Sequence, residues 1–259
     1  MKRIPCLLAL SLIVISGTAQ EKQTDYTEAL QLIDVWLDAQ QEYDRVPGMS
    51  VIIVDDQEIL WSGAFGMANL EDQVKATTST LYSICSISKL FTSVAIMKLY
   101  DEGKLRLDDE IQDLLPWYDL KQQFDDSWPI TIRTLLTHSS GLPRESNHPY
   151  WTGPDFPFPE TESLKSELRN QETLYPASTY FQYSNLGLTL LGEVVEELSG
   201  MPYENYIKQQ ILDPLDMHDT RVFLPEDLYG TSLAIGYATL DRKGNRNKVN
   251  LFQAQGIKA

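Results

Sequence analysis

Ser86 and Lys89 are the residues whose types and spacing first suggest chemistry. They stand three residues apart, so in a helix both side chains lie on one face about one turn from each other. A serine beside a desolvated amine is a plausible nucleophile and base for acyl transfer. An ordinary helix start with a lysine that reaches solvent fits the same residues. The apolar spacing that follows predicts a helix starting near Ser86 and buried around its circumference, through Ile87, Leu90, Phe91, Val94 and Met97.

Other nucleophiles and cofactors find less support in the sequence. Cys85 is an alternative nucleophile, although a cysteine beside a helix start more often packs. A serine–histidine–aspartate triad would need His138, His148 or His218, yet the chain has no G-x-S-x-G turn. No H-E-x-x-H spacing indicates a metal and no glycine-rich loop indicates a nucleotide. We therefore expect neither a metal nor a cofactor.

The N-terminus is typical of a secretory signal peptide. Met1-Lys2-Arg3 is basic, an apolar run follows from 4 to 15, and Gly17-Thr18-Ala19 supplies small residues for cleavage after Ala19. The run is shorter than the roughly 20 apolar residues of a membrane span. We expect residues 1–19 to be removed and the protein to be exported, periplasmic or secreted. Cleavage would leave Cys85 as the single cysteine, without an intramolecular disulfide.

The strongly negative net charge of the chain limits the kinds of molecule it can bind. The 259-residue chain has 37 acidic and 21 basic residues, a formal net charge of −16. Such a surface argues against nucleic acid or an anionic membrane as partner. We expect instead a small-molecule or peptide acyl substrate, and the sequence leaves the oligomeric state open.

The predicted elements run from strands through a long helical block to strands again. This order indicates an α/β layer interrupted by a helical insertion. An aromatic, proline-rich segment, 144–179, is either a lid or a packed loop. The main predicted elements are a helix over 25–43, a hairpin of 49–54 and 59–67, helices from 86 to 102, 132 to 138 and 185 to 199, and strands at 222–224, 233–240 and 249–252. Thr131 is predicted to cap the helix that begins at 132, and the turn-rich residues 55–58 to join the hairpin strands. The helix from 185 to 199 is predicted to present one apolar face.

A second motif, Tyr183-Ser184-Asn185, precedes the last long helix. Together with Ser86-Ile87-Ser88-Lys89 it resembles the serine β-lactamase and penicillin-binding-protein-like superfamily. Within it, the likeness is greatest to the class C β-lactamase-related branch, which includes esterases and D-amino-acid peptidases. The resemblance covers roughly 45–240, with framework-like stretches at Pro47-Gly48-Met49, Leu81-Tyr82-Ser83-Ile84, Gly103 to Asp108, Leu135 to Pro143 and Pro214 to Met217.

The resemblance implies a role for each motif residue. Ser86 would be the nucleophile, Lys89 its charged neighbour, Tyr183 the phenol that carries protons, and Asn185 the group that binds the lysine and the substrate. The sequence leaves open whether Lys89 or Tyr183 takes the first proton. A cation about 4 Å away favours an anionic oxygen by roughly 4 kcal/mol at an effective dielectric near 20, which fits a tyrosine working beside a lysine. The alternative interpretation is structural. Without the first motif, Tyr183 would be a half-buried tyrosine at the start of a helix and Asn185 would be an N-cap.

The implied fold is α/β (α+β), an antiparallel sheet flanked by helices with an inserted helical subdomain. Residues 20–80 and 218–259 would form the α/β part and residues 81–217 the helical part. The family's third motif, a lysine or histidine followed by a small residue and glycine, is missing after Phe223, since Lys243-Gly244 lacks the intervening residue. We therefore expect a C-terminally truncated chain that lacks the last strands.

The sequence thus predicts an exported serine hydrolase that acts through an acyl-enzyme on Ser86. A β-lactam, a D-amino peptide or a short-chain ester would suit the same nucleophile. The alternative is a non-catalytic penicillin-binding or sensor-type protein that retains the pocket and has lost turnover.

Overall fold

The N-terminal part of the molecule is a helix followed by a hairpin. The computed structural model describes residues 25–147, 161–223 and 226–249. Helix α1 spans Thr27–Tyr43, and strands β1 (Gly48–Asp55) and β2 (Glu58–Asn69) pair antiparallel. The short strand β3, Val74–Lys75, extends the sheet in the order β1-β2-β3. The predicted helix and hairpin are therefore confirmed, with bounds that differ by a few residues.

Within the described residues, six α-helices form the central part of the chain. The first, α2, follows a single 3₁₀ turn over Cys85–Ile87, so the helix begins two residues after Ser86. Thr131 caps α4 through its hydroxyl, as the sequence predicted, and Thr134 completes a reciprocal capping box. The helices are α2 (Ser88–Asp101), α3 (Ile111–Leu114), α4 (Ile132–Leu136), α5 (Thr161–Leu168), α6 (Asn185–Ser199) and α7 (Tyr203–Ile207).

Helix α6 lies at the centre of the hydrophobic core. It packs against α2, α4 and α7, and every residue over 185–195 is buried. The helix ends where Gly200 adopts a left-handed backbone with φ of +67°. Glycine takes that conformation without the Cβ clash that other residues meet, so it suits a helix C-terminus.

The chain then returns to the N-terminal sheet. The backbone N–H of Leu81 donates to Ser232 O at 2.7 Å, and that of Ile235 donates to Ala68 O at 2.8 Å. Strands β4 (Gly236–Tyr237) and β5 (Lys248–Val249) form a small hairpin. They are shorter than predicted, and 222–223 forms a bend instead of the expected strand. The predicted strand beyond 249 lies outside the described residues, and the division into two parts stays a prediction.

The prediction for the central helix was wrong in one respect. Helix α2 buries only one side, through Thr92, Ala95, Ile96 and Leu99. The other side exposes apolar residues, with Leu90 62% exposed. Helical spacing identifies an apolar residue as suited to burial, whereas actual burial depends on whether another element covers it. The exposed apolar stripe of α2 consists of Leu90, Val94 and Met97, and Ile87 extends it into the preceding turn.

Candidate active site

The two sequence motifs meet at their first residues. The Tyr183 hydroxyl lies 3.0 Å from Ser86 Oγ, although 97 residues separate them along the chain. Ser86 is exposed in the 3₁₀ turn before α2, and Tyr183 lies two residues before α6. Because α2 and α6 pack together, their N-terminal ends bring the serine and the tyrosine within hydrogen-bond distance.

Lys89 lies beside the same tyrosine. Its Nζ is 5.5 Å from the centroid of the Tyr183 ring, within the usual range of a cation–π contact, and the side chain is half-buried. Arg144 places its guanidinium carbon 4.8 Å from the same centroid. Two cationic side chains therefore lie against the Tyr183 ring. No local sequence pattern indicates Arg144, because only the fold brings it to Tyr183.

His138 packs against Tyr183 and holds the backbone next to it. The two rings are 4.5 Å apart between centroids, and His138 Nδ1 accepts a hydrogen bond of 3.1 Å from Ser184 N. Burial, and secondarily the charge of Lys89, lowers the pKa of His138 below its ordinary value of 6.5. A neutral imidazole with an accepting Nδ1 supports the backbone of this motif. Of the other histidines, His218 is exposed beside Asp216, and His148 lies outside the described residues.

Ser184, and not Asn185, caps helix α6. Its Oγ accepts from Gly187 N at 2.9 Å and donates to Pro143 O at 2.6 Å. Asn185 is the first residue of the helix and is buried. The reading of Asn185 as an N-cap was therefore wrong, because the residue before it has the extended backbone that a cap requires.

The Asn185 side chain faces Glu145, which the sequence analysis missed. Asn185 Nδ2 donates to Glu145 Oε1 at 2.5 Å, and Arg144 Nε lies 3.4 Å from the same oxygen. Asn185 Oδ1 is buried, and no described group hydrogen-bonds to it. Glu145 follows the stretch Gly141-Leu142-Pro143, but its contact is 40 residues away in sequence, so no local pattern indicates it.

Cys85 adjoins the candidate nucleophile in an uncommon conformation. Its φ is +47°, a left-handed value that costs energy in a residue other than glycine. The thiol is exposed, and its Sγ lies 3.9 Å from Ser83 Oγ. A serine hydroxyl is not a base for a thiol, so this contact does not activate Cys85.

Two further properties concern ligands and membranes. Within the ranges that the structure describes, no group of three or more His, Cys, Asp or Glu side chains is placed to hold a metal ion. The helices of the same ranges include none with the length and apolarity to cross a membrane. Of the predicted site residues, the structure brings Ser86, Lys89 and Tyr183 together and places Asn185 on the same motif as Tyr183.

Comparison with known families identifies the chain. A profile of the Beta-lactamase family matches residues 33–249. The chain belongs to the beta-lactamase family. This membership confirms the resemblance inferred from the two motifs, and the fold class predicted with it.

The relatives are penicillin-binding-protein-like and class C proteins. A putative D-alanyl-D-alanine carboxypeptidase from Escherichia coli (strain K12) is 29% identical over 85% of this chain and 54% of its own length. The octameric penicillin-binding protein homologue from Pyrococcus abyssi has a TM-score of 0.74 at 30% identity, over 89% of this chain and 52% of that one. A solved class C beta lactamase has a TM-score of 0.71 at 25% identity, over 92% of this chain and 62% of that one.

The beta-lactamase-family chain is shorter than these proteins. It spans about half the length of the curated relatives it matches, 41% of one and 54% of another. The aromatic residues that suggested a lid, Tyr150, Trp151, Phe156 and Phe158, lie outside the described residues, so the lid stays a prediction.

Proposed function

We propose that this beta-lactamase-family protein is an exported serine hydrolase that forms an acyl-enzyme on Ser86. The observation that carries the proposal is the 3.0 Å contact between the Tyr183 hydroxyl and Ser86 Oγ. A nucleophile and a proton acceptor must lie within about 2.6–3.2 Å for the proton to pass between them. Lys89, beside the tyrosine ring, balances the charge on the phenol oxygen.

The residues divide the reaction between them. Ser86 Oγ attacks the substrate carbonyl carbon, and its proton passes to the anionic oxygen of Tyr183. The tetrahedral intermediate collapses, and the leaving group departs with that proton. A water molecule then adds to the acyl carbon and gives a proton to Tyr183. Tyr183 returns this proton to Ser86 Oγ as the acyl group leaves. Asn185 binds the acyl chain beside this centre.

The substrate is an acyl compound of the kind processed by the relatives. The similarity to a putative D-alanyl-D-alanine carboxypeptidase favours a D-amino peptide, while a β-lactam or a short-chain ester suits the same nucleophile. Export rests on the signal-like residues 1–19, and sequencing the N-terminus of the mature protein tests it, with cleavage after Ala19 expected.

Covalent labelling tests the nucleophile. Treatment with a fluorophosphonate, followed by mass spectrometry, is expected to place the adduct on Ser86. The matched variants are Ser86→Ala, which should abolish the adduct, and Cys85→Ala, which should keep it. An adduct that survives Ser86→Ala would overturn the assignment.

The same labelling separates the two classes of function. A serine hydrolase releases the acyl group of a penicillin or an ester in repeated turnovers, whereas a binding or sensor-type protein retains it. Stable acylation of Ser86 without release would identify the sensor-type protein.

A further inference from the structure

Arg144 is fixed at its backbone and exposed at its side chain. Its carbonyl oxygen accepts hydrogen bonds from the backbone N–H groups of Asn185 and Leu186 at 2.8 and 3.2 Å. Pro143, the residue before it, accepts from Ser184 Oγ at 2.6 Å. These contacts anchor the loop to the first turn of α6, whose N-terminal N–H groups need partners outside the helix. The side chain therefore extends from a fixed point, and 61% of it is exposed.

The guanidinium group of Arg144 lies next to the reacting atoms. Its central carbon is 4.8 Å from the centroid of the Tyr183 ring, and the hydroxyl of that ring is 3.0 Å from Ser86 Oγ. Stacking on an aromatic face holds the plane of a guanidinium group and leaves its N–H edge available for hydrogen bonds. Arg144 therefore presents a positive charge at the candidate site.

Most of the hydrogen-bond donors of this guanidinium group are unused. An arginine has five N–H donors. Arg144 Nε lies 3.4 Å from Glu145 Oε1, which is longer than the usual 2.7–2.9 Å of a charge-assisted hydrogen bond. The same oxygen accepts from Asn185 Nδ2 at 2.5 Å, so the Glu145 carboxylate is shared. Among the residues that the structure describes, none accepts a hydrogen bond from the two NH₂ groups of Arg144.

The charge of the site differs from that of the whole chain. The formal net charge is −16, which repels an anionic ligand at a distance. At the site, however, Lys89 and Arg144 both lie against the ring of Tyr183. The proposed chemistry assigns a role to Lys89 alone. Arg144 therefore adds a positive charge that the proton transfer does not use, and an anionic group on a ligand would be its natural partner.

We infer that Arg144 is a specificity-determining residue that binds an anionic group in the acyl part of the substrate. The flat fork of a guanidinium group matches the two oxygens of a carboxylate. The acyl part is indicated because the loop of Arg144 is bonded to the start of α6, where the proposed function places the acyl chain beside Asn185. The inference rests on that proposed function, because it assumes acyl transfer to Ser86. It narrows the substrate class to acyl groups that carry a carboxylate, such as half-esters of dicarboxylic acids.

The test compares two esters that differ at one group. Mono(4-nitrophenyl) adipate has a carboxylate at the end of its acyl chain, and methyl 4-nitrophenyl adipate has the same chain with that carboxylate methylated. Acylation of Ser86 releases 4-nitrophenol from both, and the rate of release with Ser86→Ala is subtracted as background. We expect the anionic ester to acylate the parent protein about 3- to 30-fold faster, as a partly exposed but hydrogen-bonded ion pair would give.

Variants of Arg144 show whether its charge sets this preference. Arg144→Gln should bring the ratio of the two rates to about one, whereas Arg144→Lys, which keeps the charge, should give a higher ratio. If Arg144 only packed on Tyr183, its loss would slow both esters equally and leave the ratio unchanged. Arg106→Gln is the matched control, because this exposed arginine follows the far end of α2, a helix roughly 20 Å long, and it should keep the parent ratio.

Salt provides a test that needs no variant. Raising the ionic strength from about 0.01 to about 0.15 M shortens the Debye length from about 30 to about 8 Å, so the ratio of the parent protein should fall. A ratio that salt does not change would overturn the inference. So would equal rates in the parent, an unchanged ratio in Arg144→Gln, or equal ratios in Arg144→Gln and Arg144→Lys.

Fluorophosphonate labelling separates this inference from the proposed function. If the parent protein takes the fluorophosphonate on Ser86 but releases 4-nitrophenol from neither ester, the inference about Arg144 is overturned. If the adduct on Ser86 is itself missing, the proposed function fails.

Discussion

The two helices that carry the candidate site differ in how they are buried. The sequence predicted that α2 is buried around its circumference and that α6 presents one apolar face. In the structure, α6 is buried over all of 185–195, whereas α2 exposes a whole apolar stripe. The composition of a helix therefore does not determine its environment. Tyr183 lies just before the buried helix α6, and Ser86 lies just before the half-exposed helix α2.

The largest expected difference is in the cost of removing a leucine from each helix. Leu191 on α6 is 0% exposed and Leu90 on α2 is 62% exposed. Leu191→Ala should lower the free energy of unfolding by about 2–5 kcal/mol, because it leaves a cavity. Leu90→Ala should change it by no more than about 0.5 kcal/mol. Urea denaturation measures both, and similar losses would show that α2 is covered in solution.

The helix starts should differ by a smaller amount. Ser184 caps α6 and also donates to Pro143 O, while α2 has no side-chain cap and Ser88 is simply its first residue. Ser184→Ala should cost about 1–2 kcal/mol of unfolding free energy. Ser88→Ala should cost less than about 0.5 kcal/mol. Equal costs in thermal or urea unfolding would contradict the assignment of the cap.

The smallest effect concerns pH and the ring next to Tyr183. Because the pKa of His138 is lowered in the folded protein, the unfolded chain binds the proton more readily. Its contribution to stability is therefore present above about pH 6.5, the ordinary value of a histidine, and is lost as pH falls through the lower folded pKa. His138→Asn suits the left-handed backbone at this position, where φ is +55°.

The measurement is the difference in unfolding free energy between the parent and His138→Asn at several pH values. The advantage of the parent should shrink as pH falls from 7.5 to 5. A constant difference over that interval would mean that the proton is bound equally in both states, and would contradict the lowered pKa.

Local patterns predicted much of the fold. Two runs of β-forming residues and the turn-rich stretch that begins at Asp55-Asp56 indicated the β1–β2 hairpin. Thr131 marked the start of α4, because capping depends on near neighbours. The strand expected at 222–224 did not form over 222–223, since a short apolar run becomes a strand only where another strand pairs with it.

The candidate active-site residues that belong to short sequence motifs could be predicted from the sequence. Ser86, Lys89, Tyr183 and Asn185 stand in two short sequence signals, and the structure places the first three in contact or close to it. Glu145 and Arg144 were missed because their positions depend on hydrogen bonds to the start of α6, across about 40 residues of chain. The exposure of α2 was missed because it depends on what packs against the helix.

The central claim is that Tyr183 exchanges a proton with Ser86. The most direct test is the rate of fluorophosphonate modification of Ser86 in Tyr183→Phe, measured by mass spectrometry against Tyr180→Phe, a matched loss of a hydroxyl from an exposed tyrosine. Tyr183→Phe should slow the modification by about 10²–10⁴-fold, the usual range for a general acid–base group, and Tyr180→Phe should leave it unchanged. A rate for Tyr183→Phe within about threefold of the parent would contradict the claim.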